Sequence, residues 1–279
     1  KIYNEEGSVM SLVATDWLEK NLKNVKILDA TWHMPNSNKN AAQEFFNSHI
    51  QGAQFFDLDK NSDEENSVPH MLPSKEKWQE AVSHYGISNE DIIVVYDNSD
   101  VISSCRCWFM FIYFGHNPKK VFVLDGGLKK WKLENKKLSS QPEIFNKTKY
   151  LAKENINLVK NKLQIDKNIK ENKFQLIDAR GKKRFDGLEV EPRVGLKSGH
   201  IQNSLNLPFS ECINKSDHTF KSKEELLKIF QNLKILNEKN QVFTCGSGVT
   251  ACILGMANKI ISDKNPVIYD GSWSEYGLK

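Results

Sequence analysis

The sequence contains one internal repeat, at a spacing of about 150 residues. The matched pairs, in chain order, are His49 with His200, Asp97 with Cys245, and Asp125 with Asp270, which lie 151, 148 and 145 positions apart. Because the landmarks keep one order at a nearly constant separation, they indicate two homologous domains and not a chance likeness of buried strands. We place these domains at residues 8–137 and 159–279, with residues 138–158 as a polar linker.

Each half is predicted to alternate short apolar strands with helices. In the first half, Ile92–Tyr96 predicts a strand, and Lys75–Tyr85 predicts a helix with Ser74 as its N-cap and Gly86 after its end. In the second half, Ser222-Lys223-Glu224-Glu225 forms a capping box that opens a helix. This alternation predicts an α/β fold, in which each domain has a parallel β-sheet with helices on both faces. Functional loops of such folds follow the carboxyl ends of the strands.

The composition is typical of a globular protein. Of the 279 residues, 39% are hydrophobic and 27% are charged. No apolar run approaches the ~18 residues of a membrane span, and Lys1–Glu6 does not resemble a signal peptide. We therefore expect a cytoplasmic or mitochondrial location, or both, without a membrane partner. The net charge of +4, with both signs interspersed, does not favour nucleic acid as a partner.

The cysteines are five in number, and no pair has CxxC spacing. This pattern argues against a metal site and against a disulfide framework, and it favours a reducing compartment. We expect neither a metal nor a cofactor. The cysteines interpreted as structural are Cys105, Cys107, Cys212 and Cys252.

The fifth cysteine, Cys245, begins the stretch Cys245-Gly246-Ser247-Gly248-Val249-Thr250. This stretch follows the β-type run Gln241–Thr244 and precedes the apolar helical run Ala251–Ile261. Glycines allow successive backbone N–H groups to turn toward one point, and the helix adds the positive end of its dipole. The arrangement stabilises a thiolate, which is the nucleophilic form of cysteine.

Two other interpretations of Cys245 are weaker. The first is an inert cysteine that only packs in the core, but such a cysteine does not require the two glycines that follow it here. A cysteine phosphatase needs a basic side chain on the loop to hold a phosphate dianion, and residues 246–250 contain none. The matching loop of the first half begins at Asp97 and lacks a cysteine, so we expect one catalytic and one inactive domain.

These motifs closely resemble those of the tandem-domain rhodanese family of sulfurtransferases, over nearly the whole chain. The supporting motifs are Gly199-His200-Ile201, Asp178-Ala179-Arg180, Asp125-Gly126-Gly127 and the Cys245 loop. In this family, members that use thiosulfate typically carry Arg and Lys directly after the cysteine. Gly246 and Ser247 at those positions resemble the branch that uses 3-mercaptopyruvate.

The resemblance implies a role for each residue of the site. Cys245 would take sulfur from the substrate and become a persulfide, held by the loop amides of residues 246–250. The substrate-binding residues so implied are Arg184, Arg193, Gly246, Gly248, Val249 and Thr250. A planar guanidinium grips a carboxylate at two points, which suits an α-keto acid. The alternative for both arginines is plain surface charge.

A proton relay of Ser247, His70 and Asp59 is also implied by the resemblance. Because His70 and Asp59 come from the first half, that half would complete the site of the second. Asp57 is an alternative to Asp59, and the spacing does not decide between them.

The predicted reaction transfers sulfur from 3-mercaptopyruvate through Cys245 to an acceptor and releases pyruvate. The resemblance implies small thiols or reduced thioredoxin as acceptors, besides cyanide, and we expect a monomer. The alternatives are a thiosulfate:cyanide sulfurtransferase and a sulfur-relay or binding protein with little turnover of its own.

Overall fold

The computed structural model describes residues 11–233 and 239–279, so the predicted domain start at residue 8 and the N-terminal stretch Lys1–Glu6 lie outside the described residues. The chain forms two compact units. The first comprises the chain up to Ser62, Pro73–Asn155 and Lys215–Thr219; the second comprises Asp63–Leu72, Ile156–Asn214 and Phe220–Lys279. Each unit thus takes one short segment from the other half of the sequence.

The first unit has a parallel sheet with helices between its strands. Its elements are β1 (Leu12–Val13), α1 (Thr15–Asn21), β2 (Lys26–Asp29), α2 (Ala41–Asn47), β3 (Ala53–Phe55), α3 (Lys75–His84), β4 (Ile93–Tyr96), α4 (Ser104–Tyr113), β5 (Val121–Leu124) and α5 (Gly127–Leu133). The strand order is β1-β5-β4-β2-β3, and every pairing is parallel.

The second unit has the same arrangement. Its elements are β6 (Val159–Lys160), α6 (Lys162–Glu171), β7 (Phe174–Asp178), α7 (Lys182–Phe185), β8 (Leu205–Asn206), α8 (Lys223–Asn232), β9 (Asn240–Thr244), α9 (Ala251–Ser262), β10 (Ile268–Tyr269) and α10 (Ser272–Tyr276). The order β6-β10-β9-β7-β8 is that of the first sheet, strand for strand, and all its pairings are parallel. The predicted α/β class with two similar domains is therefore confirmed.

Both faces of the first sheet are covered. Val94 and Tyr96 of β4 pack in one core cluster with Leu18 of α1 and Trp131 of α5. The intervening residues Ile93 and Val95 point to the opposite face, as strand alternation requires, and are also fully buried. Helix α4 contacts β4 and β5, and its ten residues are buried throughout. This burial explains why the strands read as continuous apolar runs.

Local signals in the sequence set the helix ends. The side chain of Ser74 accepts a hydrogen bond from the amide of Lys77 and caps α3, and Gly86 follows that helix at a φ of +65°. Ser222 and Glu225 form the predicted capping box of α8. Within the described residues, no helix is both long and apolar enough to cross a bilayer.

Candidate active site

Cys245 directly follows β9, at the carboxyl end of its sheet, and is only 2% exposed. The amide N–H of Gly248 donates to its Sγ across 3.1 Å. Gly248 has a φ of +79°, a conformation that glycine adopts without steric strain. The loop therefore bends back onto the sulfur that begins it.

Other amides of the loop have no protein acceptor. Among the described residues, the backbone N–H groups of Gly246, Ser247, Val249 and Thr250 form no hydrogen bond with the protein. Unused donors beside a buried nucleophile favour an anion bound at this point. The assignment of these residues to substrate binding stays a prediction.

The start of α10 holds the first residues of the loop in place. The amide of Trp273 donates to the carbonyl of Cys245 (2.9 Å), and the Ser274 amide and hydroxyl both donate to the carbonyl of Gly246 (2.8 and 2.6 Å). The amide of Cys245 donates to Oγ of Ser272. Because α10 fixes the carbonyl groups of Cys245 and Gly246 in this way, the backbone that carries the sulfur is held at a defined position.

The remaining cysteines are poor candidates for chemistry. All four are fully buried, and burial raises the pKa of Cys212 to about 12 and that of Cys107 well above its usual value. Cys252 donates its thiol to the carbonyl of Gly248 (3.3 Å). A neutral thiol is a weak nucleophile, which agrees with a structural role for Cys107 and Cys212.

His70 lies beside the loop, in the segment Asp63–Leu72 that belongs to the second unit. Its Nδ1 is 2.9 Å from Oγ of Ser247, and both residues are buried. His70 has a φ of +61°, a strained conformation of the kind that clusters at functional sites. The amide of Leu72 donates to Asp270 at the end of β10 (2.8 Å), which fastens the segment next to His70.

Two predicted arginines also reach the loop. Nη2 of Arg184 would lie 3.1 Å, and Nη1 of Arg193 3.7 Å, from a Cβ atom at Gly246. Nη2 of Arg193 donates to Oγ of Ser247 across 3.3 Å. Oγ of Ser247 therefore contacts both Arg193 and His70, and the tautomer of His70 decides which of Oγ and Nδ1 donates.

Asp59 and Asp57 belong to the first unit. Asp59 is exposed, and the Asp57 carboxylate accepts a hydrogen bond from the amide of Lys60 (3.1 Å). The choice between them as the third member of the relay stays a prediction. All three residues lie in the first half of the sequence, and of the compact units His70 belongs to the second while the two aspartates belong to the first.

Sequence reasoning missed Glu191, a buried carboxylate between the two arginines in the chain. It forms ion pairs with Arg184 and Arg180. The available signal in the sequence is its position, two residues before Arg193 and between the two predicted substrate-binding arginines. Spacing alone does not distinguish it from Glu189, which is exposed.

The matching loop of the first unit has a buried carboxyl group in place of the thiol. Asp97 takes the position of Cys245, and its carboxylate accepts hydrogen bonds from the amides of Ser99 (2.8 Å) and Ser104 (3.1 Å). Burial raises the pKa of Asp97, against the lowering effect of its hydrogen bonds from Ser104 and Ser99. With this carboxylate in place, the loop has no nucleophilic sulfur.

The repeated sheets define a tandem α/β protein that has, in one of its two domains, a buried cysteine at the carboxyl end of the sheet. Residues 14–134 and 162–279 both match the family described as the rhodanese-like domain. The chain is 40% identical to thiosulfate/3-mercaptopyruvate sulfurtransferase 1, mitochondrial, of Arabidopsis thaliana, over 96% of this chain and 76% of that protein. It is 37% identical to the 3-mercaptopyruvate sulfurtransferase of Rattus norvegicus, over 96% and 92% of the two chains.

A solved structure agrees with these relatives. The crystal structure of SseA from Escherichia coli, described with the rhodanese fold of 3-mercaptopyruvate sulfotransferases, matches with a TM-score of 0.86 and 33% identity, over 95% of this chain and 99% of that one. The chain belongs to the rhodanese family, and the resemblance seen in its motifs is confirmed.

Proposed function

We propose that this protein transfers the sulfur of 3-mercaptopyruvate through a persulfide on Cys245 to a thiol or to cyanide, with release of pyruvate. The observation that carries the proposal is that two guanidinium groups, of Arg184 and Arg193, lie at Gly246, next to a buried cysteine. Two cations beside one nucleophile suit a substrate that bears a carboxylate close to its reacting sulfur.

Binding orients the substrate. Arg184 and Arg193 hold the carboxylate of 3-mercaptopyruvate, and the unused loop amides face the developing negative charge. The Sγ thiolate of Cys245 then attacks the substrate sulfur. A new S–S bond forms while the carbon–sulfur bond breaks, and its electron pair leaves as the enolate of pyruvate.

Proton transfer completes the first half of the reaction. The enolate takes one proton at carbon to give pyruvate, and the Ser247–His70 pair, with 2.9 Å between Oγ and Nδ1, supplies it. The persulfide then gives its outer sulfur to the acceptor: a thiol becomes a persulfide, cyanide becomes thiocyanate, and Cys245 returns to its starting state. Small thiols and reduced thioredoxin are the acceptors that we propose, with a monomeric enzyme in the cytoplasm or mitochondrion.

The direct test compares sulfur donors at equal enzyme concentration. Pyruvate release from 3-mercaptopyruvate should exceed thiocyanate formation from thiosulfate in kcat/KM, because the loop lacks basic residues directly after Cys245. A higher kcat/KM for thiosulfate would favour the second candidate, a thiosulfate:cyanide sulfurtransferase. That candidate has some support, since the name of the plant relative includes both donors.

The two arginines should contribute mainly to substrate use. Arg184→Ala and Arg193→Ala should each lower kcat/KM for 3-mercaptopyruvate by about 10- to 150-fold, because a charged hydrogen bond contributes roughly 1.5–3 kcal/mol. Lysine at either position should recover only part of the loss, since it cannot make the planar fork. Exposed Lys182→Ala is the matched control. Wild-type kinetics in both alanine variants would remove these residues from the site.

A further inference from the structure

We propose that Glu191 is a positioning residue that sets the geometry of the anion-binding site by holding Arg184 over the Cys245 loop. The part of this inference that concerns 3-mercaptopyruvate rests on the proposed function, whereas the part that concerns Arg184 rests on geometry alone. Glu191 is 6% exposed, although it lies on an irregular loop with exposed neighbours. A carboxylate is buried to this degree only when it is paired.

Both oxygens of Glu191 are in use. Oε2 accepts from Nη2 of Arg184 across 2.6 Å, and Oε1 accepts from Nη1 of Arg180 across 2.7 Å. Oε1 also lies 3.3 Å from Nε of Arg184. The carboxylate therefore grips Arg184 at two points, which fixes the plane of that guanidinium and not merely its distance.

Arg180 anchors this pair to the sheet. Its Nε and Nη2 donate to the carboxylate of Asp178, the last residue of β7, and Nη2 also donates to the carbonyl of Gly199 (2.8 Å). Its guanidinium lies 4.7 Å from the ring centre of Trp273. Because Arg180 is buried and held on several sides, Glu191 is tied to a rigid part of the fold.

The result is a chain of alternating charges from Asp178 through Arg180 and Glu191 to Arg184. Arg184 is the only half-exposed member and stands at the end that meets Gly246. Its Nε and Nη2 are committed to Glu191, while its Nη1 has no partner among the described residues. Nη2 is the atom nearest Gly246 and has a second hydrogen, so Glu191 fixes the plane of the guanidinium and leaves N–H groups of both Nη1 and Nη2 for a ligand.

Glu191→Gln separates positioning from charge, because the two roles predict opposite signs. If Glu191 were only a negative charge near the site, its neutralisation would strengthen the binding of anions. If it positions Arg184, the variant should raise KM for 3-mercaptopyruvate by about tenfold with little change in kcat, since the amide has one accepting oxygen where the carboxylate has two and loses at least one of the bonds to the arginines. Exposed Glu189→Gln on the same loop is the matched control and should leave KM unchanged.

A second readout does not depend on the proposed reaction. Cys245 is alkylated with iodoacetate, which is an anion, and with iodoacetamide, which is neutral. The ratio of the iodoacetate rate to the iodoacetamide rate is then compared between variants. Positioning predicts that Glu191→Gln lowers this ratio severalfold, whereas a general loss of structure changes both rates alike. If the wild type fails to use 3-mercaptopyruvate, the proposed function is wrong, and the alkylation ratio still tests the role of Glu191.

The Arg184→Ala background completes the test. There, Glu191→Gln should have no further effect on KM or on the alkylation ratio, because Glu191 acts through Arg184. Should Glu191→Gln not fold, Glu191→Asp keeps the buried charge but is one methylene too short to reach both arginines, and a smaller rise in KM is expected. A folded Glu191 variant with an unchanged or lower KM and an unchanged or higher alkylation ratio would overturn the proposal.

Discussion

Replacing Cys245 by serine will abolish sulfur transfer and leave the fold intact. The hydroxyl fits where the thiol was, but at neutral pH it neither ionises nor forms a persulfide. The backbone contacts of residue 245 with Ser272 and Trp273 do not involve its side chain and should remain. We therefore expect turnover below detection and an unchanged thermal unfolding curve.

Intact-mass analysis identifies the sulfur carrier. After brief exposure to 3-mercaptopyruvate, the wild type should gain one sulfur atom that maps to Cys245, and Cys245→Ser should gain none. The control is Cys252→Ser, which changes a buried thiol that also contacts Gly248 but should still load sulfur. Sulfur on Cys252 or Cys212 would contradict the assignment.

Replacing His70 by alanine should lower kcat for 3-mercaptopyruvate by about 10²- to 10⁴-fold, the usual contribution of an acid–base group. Alanine is strained at the φ of +61° found here, so His70→Asn, which tolerates that conformation, should accompany it. The control is His84→Ala, which removes an exposed histidine at the end of α3. Steady-state kinetics and the unfolding midpoint are measured for all three variants.

A double variant tests whether His70 and Ser247 act as one relay. Once either member is gone, removing the other should cost little more, so His70→Ala with Ser247→Ala should resemble the slower single variant. Fully additive losses would show that the 2.9 Å contact does not transmit a proton in the rate-limiting step.

The strands and the thiol loop were accessible to sequence reasoning because their determinants are local. The apolar residues of β4 and β5, the caps at Ser74 and Ser222, and the glycines around Cys245 each act within a few positions along the chain. Such local preferences agree with the final fold, as expected of natural sequences. The predicted strand Ile92–Tyr96 differs from β4, Ile93–Tyr96, by a single residue.

Glu191 and the exchange of segments were not accessible in this way. Glu191 pairs with Arg180, 11 positions earlier, and follows the short helix α7 on an irregular loop where no periodicity indicates which side chains are buried. The exchanged segments are polar and read as ordinary loops. The two exchanged segments nevertheless follow the internal repeat. His70 and His218 are 148 positions apart, like Asp97 and Cys245, and their φ angles are +61° and +62°.

The exchange of segments also affects the timing of synthesis. His70 leaves the ribosome 177 residues before Ser247, its hydrogen-bond partner. At about 5–20 residues per second, this gap lasts roughly 9 to 35 s. By the end of that time all strands of the first sheet have been synthesised, while the second unit, to which Asp63–Leu72 belongs, is still incomplete. A nascent chain is therefore expected to gain structure well before it gains catalytic competence, so that activity reports the completion of the whole polypeptide.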